Sequence, residues 1–421
     1  MENKTNKKLL VLGGKPIGSC EIVKKAKEMG AYTIVTDYLP IDLSPAKKLA
    51  DAYWDVSTAD LDTLERKIAE EKIDGVYTGV HEFNIQQMIK LCSRMNLPCY
   101  CTLDQWDMLE DKQLFKKKCR EYGIPVTPEY AFNSINDAEI EYPVIVKPAD
   151  GSGSRGFSIC TCKDELLKGC EKAVKHSASG NVLIEKYMDY RFSVIINYTI
   201  IDGEFIYSGM SDKRSKKVFE NGAPIMSFQM YKSLHEESYL ETLNQKAIAM
   251  LRSLGLKNGV IWIEAFYNHH NDSFTFNELG YRFGGSLTYY PVEYYYGINQ
   301  LELQIEYALN GRNRKIRQDV QEKKDHYCIL PVHVRPGMIK AIQGLDLLSK
   351  KEYYLGMAPV HYEGETIEPW GSAQQVFAYI HFHIQSREEA NAVQEDIMKT
   401  IRVIDQNGQD LLFNLFDETC I

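Results

Sequence analysis

Residues 144–156 read VIVKPADGSGSRG: an apolar strand that delivers Lys147 and runs into a loop with glycines at 151, 153 and 156 and serines at 152 and 154. Glycines let backbone N–H groups come close to phosphate oxygens, and serine hydroxyls add donors. Lys147 supplies a fixed positive charge at the strand end. The order differs from the GxxxxGK[ST] loop, where lysine follows the glycines just before a helix. By itself the stretch favours phosphate binding over the plain reading of a glycine hairpin beside a surface lysine, and its company adds to that.

The company is a pair of carboxylates. Glu264 ends the run GVIWIE, Glu278 ends SFTFNE, and Arg282 follows four positions later. Two carboxylates on neighbouring strands suit Mg²⁺ (or Mn²⁺), a hard cation that takes oxygen ligands and travels with phosphate. An arginine beside them would stabilise charge on a transferred phosphoryl group. The plain reading is strand-end glutamates with a surface salt bridge; Asn277, Gly284 and Gly285 favour a tight, ligand-facing turn instead. A third segment, VLIEKYM at 182–188, ends a strand on Glu185 and continues through Lys186, Tyr187 and Met188. It reads as a charged edge strand or as a hinge whose backbone reads the adenine edge while Glu185 accepts from the amino group.

In order and separation these segments resemble the ATP-grasp superfamily, over residues 104–311. The resemblance implies that Lys112 and Lys147 are the two ATP lysines and that Gly151, Ser152, Gly153, Ser154 and Gly156 form the loop over the triphosphate. It makes Glu185, Lys186, Tyr187 and Met188 the adenine hinge, with Phe266 also at the cofactor. It assigns the metal to Glu264 and Glu278, and catalysis to Arg282 with Lys147. Within the superfamily the chain is most similar to carbamoyl-phosphate-synthase-like and L-amino-acid-ligase-like members. Two positions depart from the pattern: Gly280 where Asn is frequent, and Arg191 where a ribose-binding Glu is frequent, leaving Asp189 as a substitute.

The surroundings fit a three-part α/β and α+β chain. Residues 8–13, 32–36 and 75–78 are short apolar strands alternating with helices at 17–29, 61–71 and 85–95, as in a parallel, Rossmann-like sheet. This gives a first domain at 1–103, an ATP-grasp domain at 104–311 with a lid at about 120–190, and a small α+β domain at 312–421. Long helices are expected at 104–122, 236–254 and 387–401, and Asp202-Gly203 marks a hairpin turn. The spacing of Gly13, Gly14 and Gly18 is wrong for a dinucleotide fingerprint, even with Asp37 behind it.

With 421 residues and a net charge of -9, the chain lacks the basic excess of a general nucleic-acid binder. No run approaches the roughly 20 apolar residues that span a bilayer, and the polar N-terminus has no signal-like core. The expectation is a cytoplasmic protein without membrane or nucleic-acid partners. Its ten cysteines read as buried thiols.

The resemblance implies a carboxylate–amine (or thiol) ligase. A substrate carboxylate takes the γ-phosphoryl group of ATP, and a nucleophile then displaces phosphate from the acyl phosphate. An ATP-dependent small-acid kinase and a non-catalytic nucleotide binder are the rival readings. His81, Glu82, Arg214, Tyr281 and Arg335 are the candidates for holding substrate. The tyrosines at 289, 290 and 294–296 read as core or homodimer packing.

Overall fold

The computed structural model describes residues 7–130, 140–149, 156–188, 191–216, 224–314, 323–368 and 375–415. The chain opens with a parallel sheet of β1 (Lys8–Leu12), β2 (Tyr32–Thr36), β3 (Ala52–Trp54) and β4 (Gly75–Thr78) in the order β3-β2-β1-β4. Helices α1 (Ser19–Glu28), α2 (Pro45–Leu49), α3 (Leu61–Glu71) and α4 (Glu82–Met95) connect or follow these strands. Leu9, Leu10, Val11 and Leu12 are wholly buried, as expected of a parallel strand covered on both faces. The Asp37 carboxylate accepts from Gly14 N–H at 2.7 Å and Ser44 Oγ at 2.7 Å and pairs with buried Lys47, so its role here is structural.

The single helix expected at 104–122 is two, α5 (Leu103–Glu110) and α6 (Lys112–Glu121). Asp111 breaks it: its backbone is extended, and its carboxylate accepts from the N–H groups of Gln113 and Leu114. Short acceptor side chains favour such an N-cap over a helix interior. The break places Lys112 at the first position of α6.

The next sheet is antiparallel, with β5 (Glu129–Tyr130), β6 (Val144–Pro148), β7 (Ser158–Cys160) and β8 (Val182–Lys186) in the order β5-β8-β6-β7. Helix α7 (Lys163–Lys175) covers it, and Val144, Val146, Leu166 and Ala173 belong to its own small core. This unit falls within the stretch expected as the lid, at about 120–190.

The large sheet receives β9 (Phe192–Ile201), β10 (Glu204–Lys216), β11 (Ile225–Tyr231), β12 (Gly259–Asn268) and β13 (Ser273–Gly280). The β9–β10 turn has positive φ at Asp202 and Gly203, where the sequence marks a hairpin. The helix expected at 236–254 is again two, α8 (Glu236–Thr242) and α9 (Asn244–Ser253), followed after β13 by α10 (Tyr289–Tyr296) and α11 (Gln300–Asn310). A Cβ at Gly75 would meet the α11 backbone at Ala308; glycine there lets α11 pack directly on β4.

The C-terminal part supplies β14 (His326–Val334), β15 (Gly337–Gln343), α12 (Leu345–Leu348), β16 (Tyr354–Pro359), β17 (Thr366–Ile367), β18 (Val376–Ile384), α13 (Ala390–Thr400), β19 (Arg402–Asp405) and β20 (Leu412–Phe413). Strands β14, β18 and β16 extend the large sheet, whose order is β13-β12-β9-β10-β11-β14-β18-β16. The tyrosines of α10 bind this extension to the middle of the chain. Tyr295 Oη donates to the Asp325 carbonyl at 2.8 Å and Tyr294 Oη to its carboxylate.

Candidate functional site

A cavity of about 350 Å³ lies between the lid and the large sheet, with α4, α5 and α6 at one end. Strand β6 carries Lys147 into it, and the adjacent β8 carries Glu185, in the register Lys147↔Leu183 and Ile145↔Glu185. Lys147 Nζ sits 2.7 Å from Glu185 Oε2, and Lys116 Nζ from α6 bonds the other oxygen. Glu185 is 2% exposed. Burial would raise its carboxyl, but the two ammonium groups hold it below the usual range. Each Glu185 oxygen thus holds a lysine ammonium, an arrangement that ties down Lys147 at the cavity wall. The backbone N–H groups of Lys186 and Tyr187 are likewise committed to the Pro128 and Pro143 carbonyls. Lys186 lines the cavity, with its ammonium on the Glu141 carboxylate, and Tyr187 and Met188 are not among the lining residues.

The floor comes from β12 and β13. Glu264 and Glu278 are register partners, with a bulge between Glu264 and Ala265, and both line the cavity. Glu264 Oε1 accepts from Ser193 Oγ and from Lys213 Nζ, each at 2.8 Å. Burial would raise its carboxyl, and the Lys213 ammonium with these hydrogen bonds holds it low. An ionised, cation-holding carboxylate opposite a second one is a donor set that suits Mg²⁺. Among the described residues no group of three or more metal-ligating side chains forms. A cation here therefore needs further oxygens, such as those of phosphate.

At the far end Arg282 Nη2 lies 2.8 Å from Glu82 Oε1 and its guanidinium stands 5.4 Å from the Trp262 ring centre. Burial works to raise Glu82, yet Arg282 holds it low. Glu110, at the end of α5, behaves oppositely: burial and the charge on Glu82 push its carboxyl up to about 7. Lys112 lines the same end. Ile145 and Phe157 from the lid and Phe266 and Leu279 from the sheet supply apolar wall between the charged ends.

Gly280 faces Trp262 in the register of β12 and β13. A Cβ at 280 would run into the indole, so the departure at Gly280 accompanies a tryptophan occupying that side-chain space. The other departure, Arg191, stands over the Phe192 ring and is not among the residues lining the cavity. Asp189 and the loop residues Gly151, Ser152, Gly153 and Ser154 lie outside the described residues. Gly156 is described, with φ of +75°.

Of the substrate candidates, only Glu82 lines the cavity. His81 is exposed at the start of α4, edge-on to Phe83. Arg214 packs over Phe192, because strand alternation sends Lys213 and Ser215 to the cavity and Arg214 to the other face. Tyr281 is buried, with its hydroxyl on the Asn258 and Tyr100 carbonyls. Arg335 donates to the Leu412 carbonyl at 2.8 Å, stands over Phe413 and is not among the residues lining the cavity. Lys116, Glu110 and Trp262 were missed by sequence reasoning, in which Lys213 reads only as part of the basic run at 213–217, a solvated loop or an attractor of an anionic substrate. The signals for Lys116 and Lys213 were present: Lys116 follows Lys112 at i+4, and Lys213 alternates with Ser215.

Residues 111–288 match the family model described as carbamoyl-phosphate synthase L chain, ATP binding domain. The carbamoyl phosphate synthase large chain of Caldanaerobacter subterraneus subsp. tengcongensis is 26% identical over 201 residues, covering 42% of this chain and 19% of the relative. The chain thus spans about a fifth of the length of the first curated relatives it matches. The solved L-amino acid ligase from Bacillus licheniformis superposes with a TM-score of 0.75 at 18% identity, covering 96% of this chain and 100% of that one. The biotin carboxylase domain of Hydrogenobacter thermophilus 2-oxoglutarate carboxylase, solved with MgADP and bicarbonate, gives 0.76 at 18% identity over 94% and 90%.

Proposed function

Taking the chain as a member of the ATP-grasp superfamily, we propose that it is an ATP-dependent carboxylate–amine (or thiol) ligase. The observation that carries the proposal is the cavity in which Lys147, fixed by Glu185, faces the register-paired Glu264 and Glu278, with Arg282 alongside. Glu264 and Glu278 would hold Mg²⁺ (or Mn²⁺), which supplies charge neutralisation at the phosphates.

In the first step a substrate carboxylate oxygen bonds to the γ-phosphorus while the bond to the β-bridging oxygen breaks, and ADP leaves with that electron pair. Lys112, Lys147 and Arg282 offset charge on the phosphoryl oxygens. The second step joins the nucleophile to the acyl carbon and expels inorganic phosphate. Positioning and electrostatics suffice for both, with no protein nucleophile. The reading includes a cytoplasmic setting and small-molecule substrates. It also includes a homodimer, as in the dimeric carboxylase domain above, which light scattering tests.

The test is ADP formation from ATP and Mg²⁺ across a panel of carboxylic acids with and without amines. Turnover that needs both an acid and an amine supports the ligase. Phosphorylated acid accumulating without use of any amine overturns it in favour of a kinase.

A further inference from the structure

A second cavity, of about 250 Å³, adjoins the first across Lys213, Trp262, Glu264 and Glu278. Ile195, Ile225, Met226 and Val376 give it a largely apolar wall. Two residues lining it carry buried polar atoms with no partner among the described residues: Trp262 Nε1 and His333 Nδ1.

His333 is 2% exposed and sits where the pairing of β14 with β18 shifts between Val332 and His333. A bulge of this kind re-aims a side chain. Its Nε2 lies 2.8 Å from the Met226 carbonyl. A carbonyl only accepts, so Nε2 carries the proton and Nδ1 presents a bare lone pair. Burial holds the imidazole neutral, down to about 4. Two other polar side chains of the wall have partners: Gln229 Nε2 donates to Ser211 Oγ at 2.7 Å, and Ser286 Oγ to Gln229 Oε1 at 3.4 Å. An unpaired buried acceptor costs free energy until something donates to it.

We propose that the second cavity binds the acid to be activated, and that this acid is an apolar one bearing an N–H or O–H group that donates to His333 Nδ1. The inference rests on the ligase reading. The carboxylate lies where the cavities meet, within reach of Lys213 and of the Trp262 indole N–H. The apolar body lies against Ile195, Ile225 and Val376. Acids of the same shape without the donor leave the imidazole unpaired and bind more weakly.

The test is calorimetric binding to the full chain of two matched series: phenylalanine, 3-phenyllactate and 3-phenylpropanoate; leucine, 2-hydroxy-4-methylpentanoate and 4-methylpentanoate. A non-hydrolysable ATP analogue is titrated in parallel. The expected result is that a donor-bearing member binds about tenfold or more tightly than its bare counterpart. Amine and hydroxyl arms show which donor is used. In wild type labelled with ¹⁵N-histidine, the His333 Nδ1 resonance moves with that acid and not with the bare one. His333→Phe levels the series and His333→Asn, which keeps an acceptor, restores part of the preference. Should His333→Phe not fold, the wild-type series and resonance still decide. Equal binding within each series, or no binding by any acid while the ATP analogue binds, overturns this inference alone. Failure of the ATP analogue to bind overturns the ligase reading beneath it.

Discussion

Glu110 and Lys116 show how much of the site depends on neighbours that the chain brings from afar. Glu110 is held near neutrality by burial and Glu82, so its charge changes within the working range. A folded value raised above the ordinary carboxyl value means that the proton stays on until pH rises through about 7. A triphosphate prefers the neutral form beside it. Nucleotide affinity is therefore expected to be full below pH 7 and to fall, by at most about tenfold per unit, as pH rises above it. Titrations from pH 6 to 9 should show this slope in wild type and lose it in Glu110→Gln; the same slope in both would contradict the assignment. Lys116 is wholly buried against Glu185. Lys116→Met leaves Glu185 with Lys147 alone, and chemical denaturation should register a loss of about 3 kcal/mol. In sequence Lys116 shows only as the residue one helical turn after Lys112, and Glu110 does not stand out at all, because a lysine or glutamate declares a role only through its partner. Lys147, Glu264, Glu278 and Arg282 were legible because strand ends and glycines frame them.

At the scale of elements, strands were read more closely than helices. Strand β2, Tyr32–Thr36, and strand β9, Phe192–Ile201, fall where apolar runs and turn residues place them. The expected helices at 104–122 and 236–254 each divide, at Asp111 and Leu243. Helical periodicity persists through a one-residue interruption, and only the capping bonds of Asp111 reveal the first. Pairing of β12 with β13 explains Gly280, which no periodicity explains, since the Trp262 indole occupies its side-chain space. Gly280→Ala should therefore lower stability by about 1–3 kcal/mol through overpacking. Added to Trp262→Ala, which opens that space, the same change should cost far less. Denaturant titrations of the two single variants and the double variant check this; additive losses would contradict it.

At the scale of the whole molecule, the cavity joins parts of separate origin: the lid, the large sheet and the helices after the parallel sheet. The chain beyond residue 325 continues the large sheet through β14, β18 and β16, a continuity that local sequence does not carry because strand order is set by long-range pairing. It also furnishes His333 and Val376 to the second cavity. A ligand bridging lid and sheet should stabilise the native state as a unit. A non-hydrolysable ATP analogue at a hundredfold over its Kd should add about 2.7 kcal/mol, read by thermal shift, and Lys147→Ala should lose most of that gain. The most direct measurement is ADP formation from ATP and Mg²⁺ with the acid and amine panel, comparing wild type with Glu278→Ala. The account predicts acid- and amine-dependent turnover in wild type and a loss of at least about a hundredfold in the variant, on the scale of one lost electrostatic contact at a reacting centre. Equal turnover in the two proteins would contradict it.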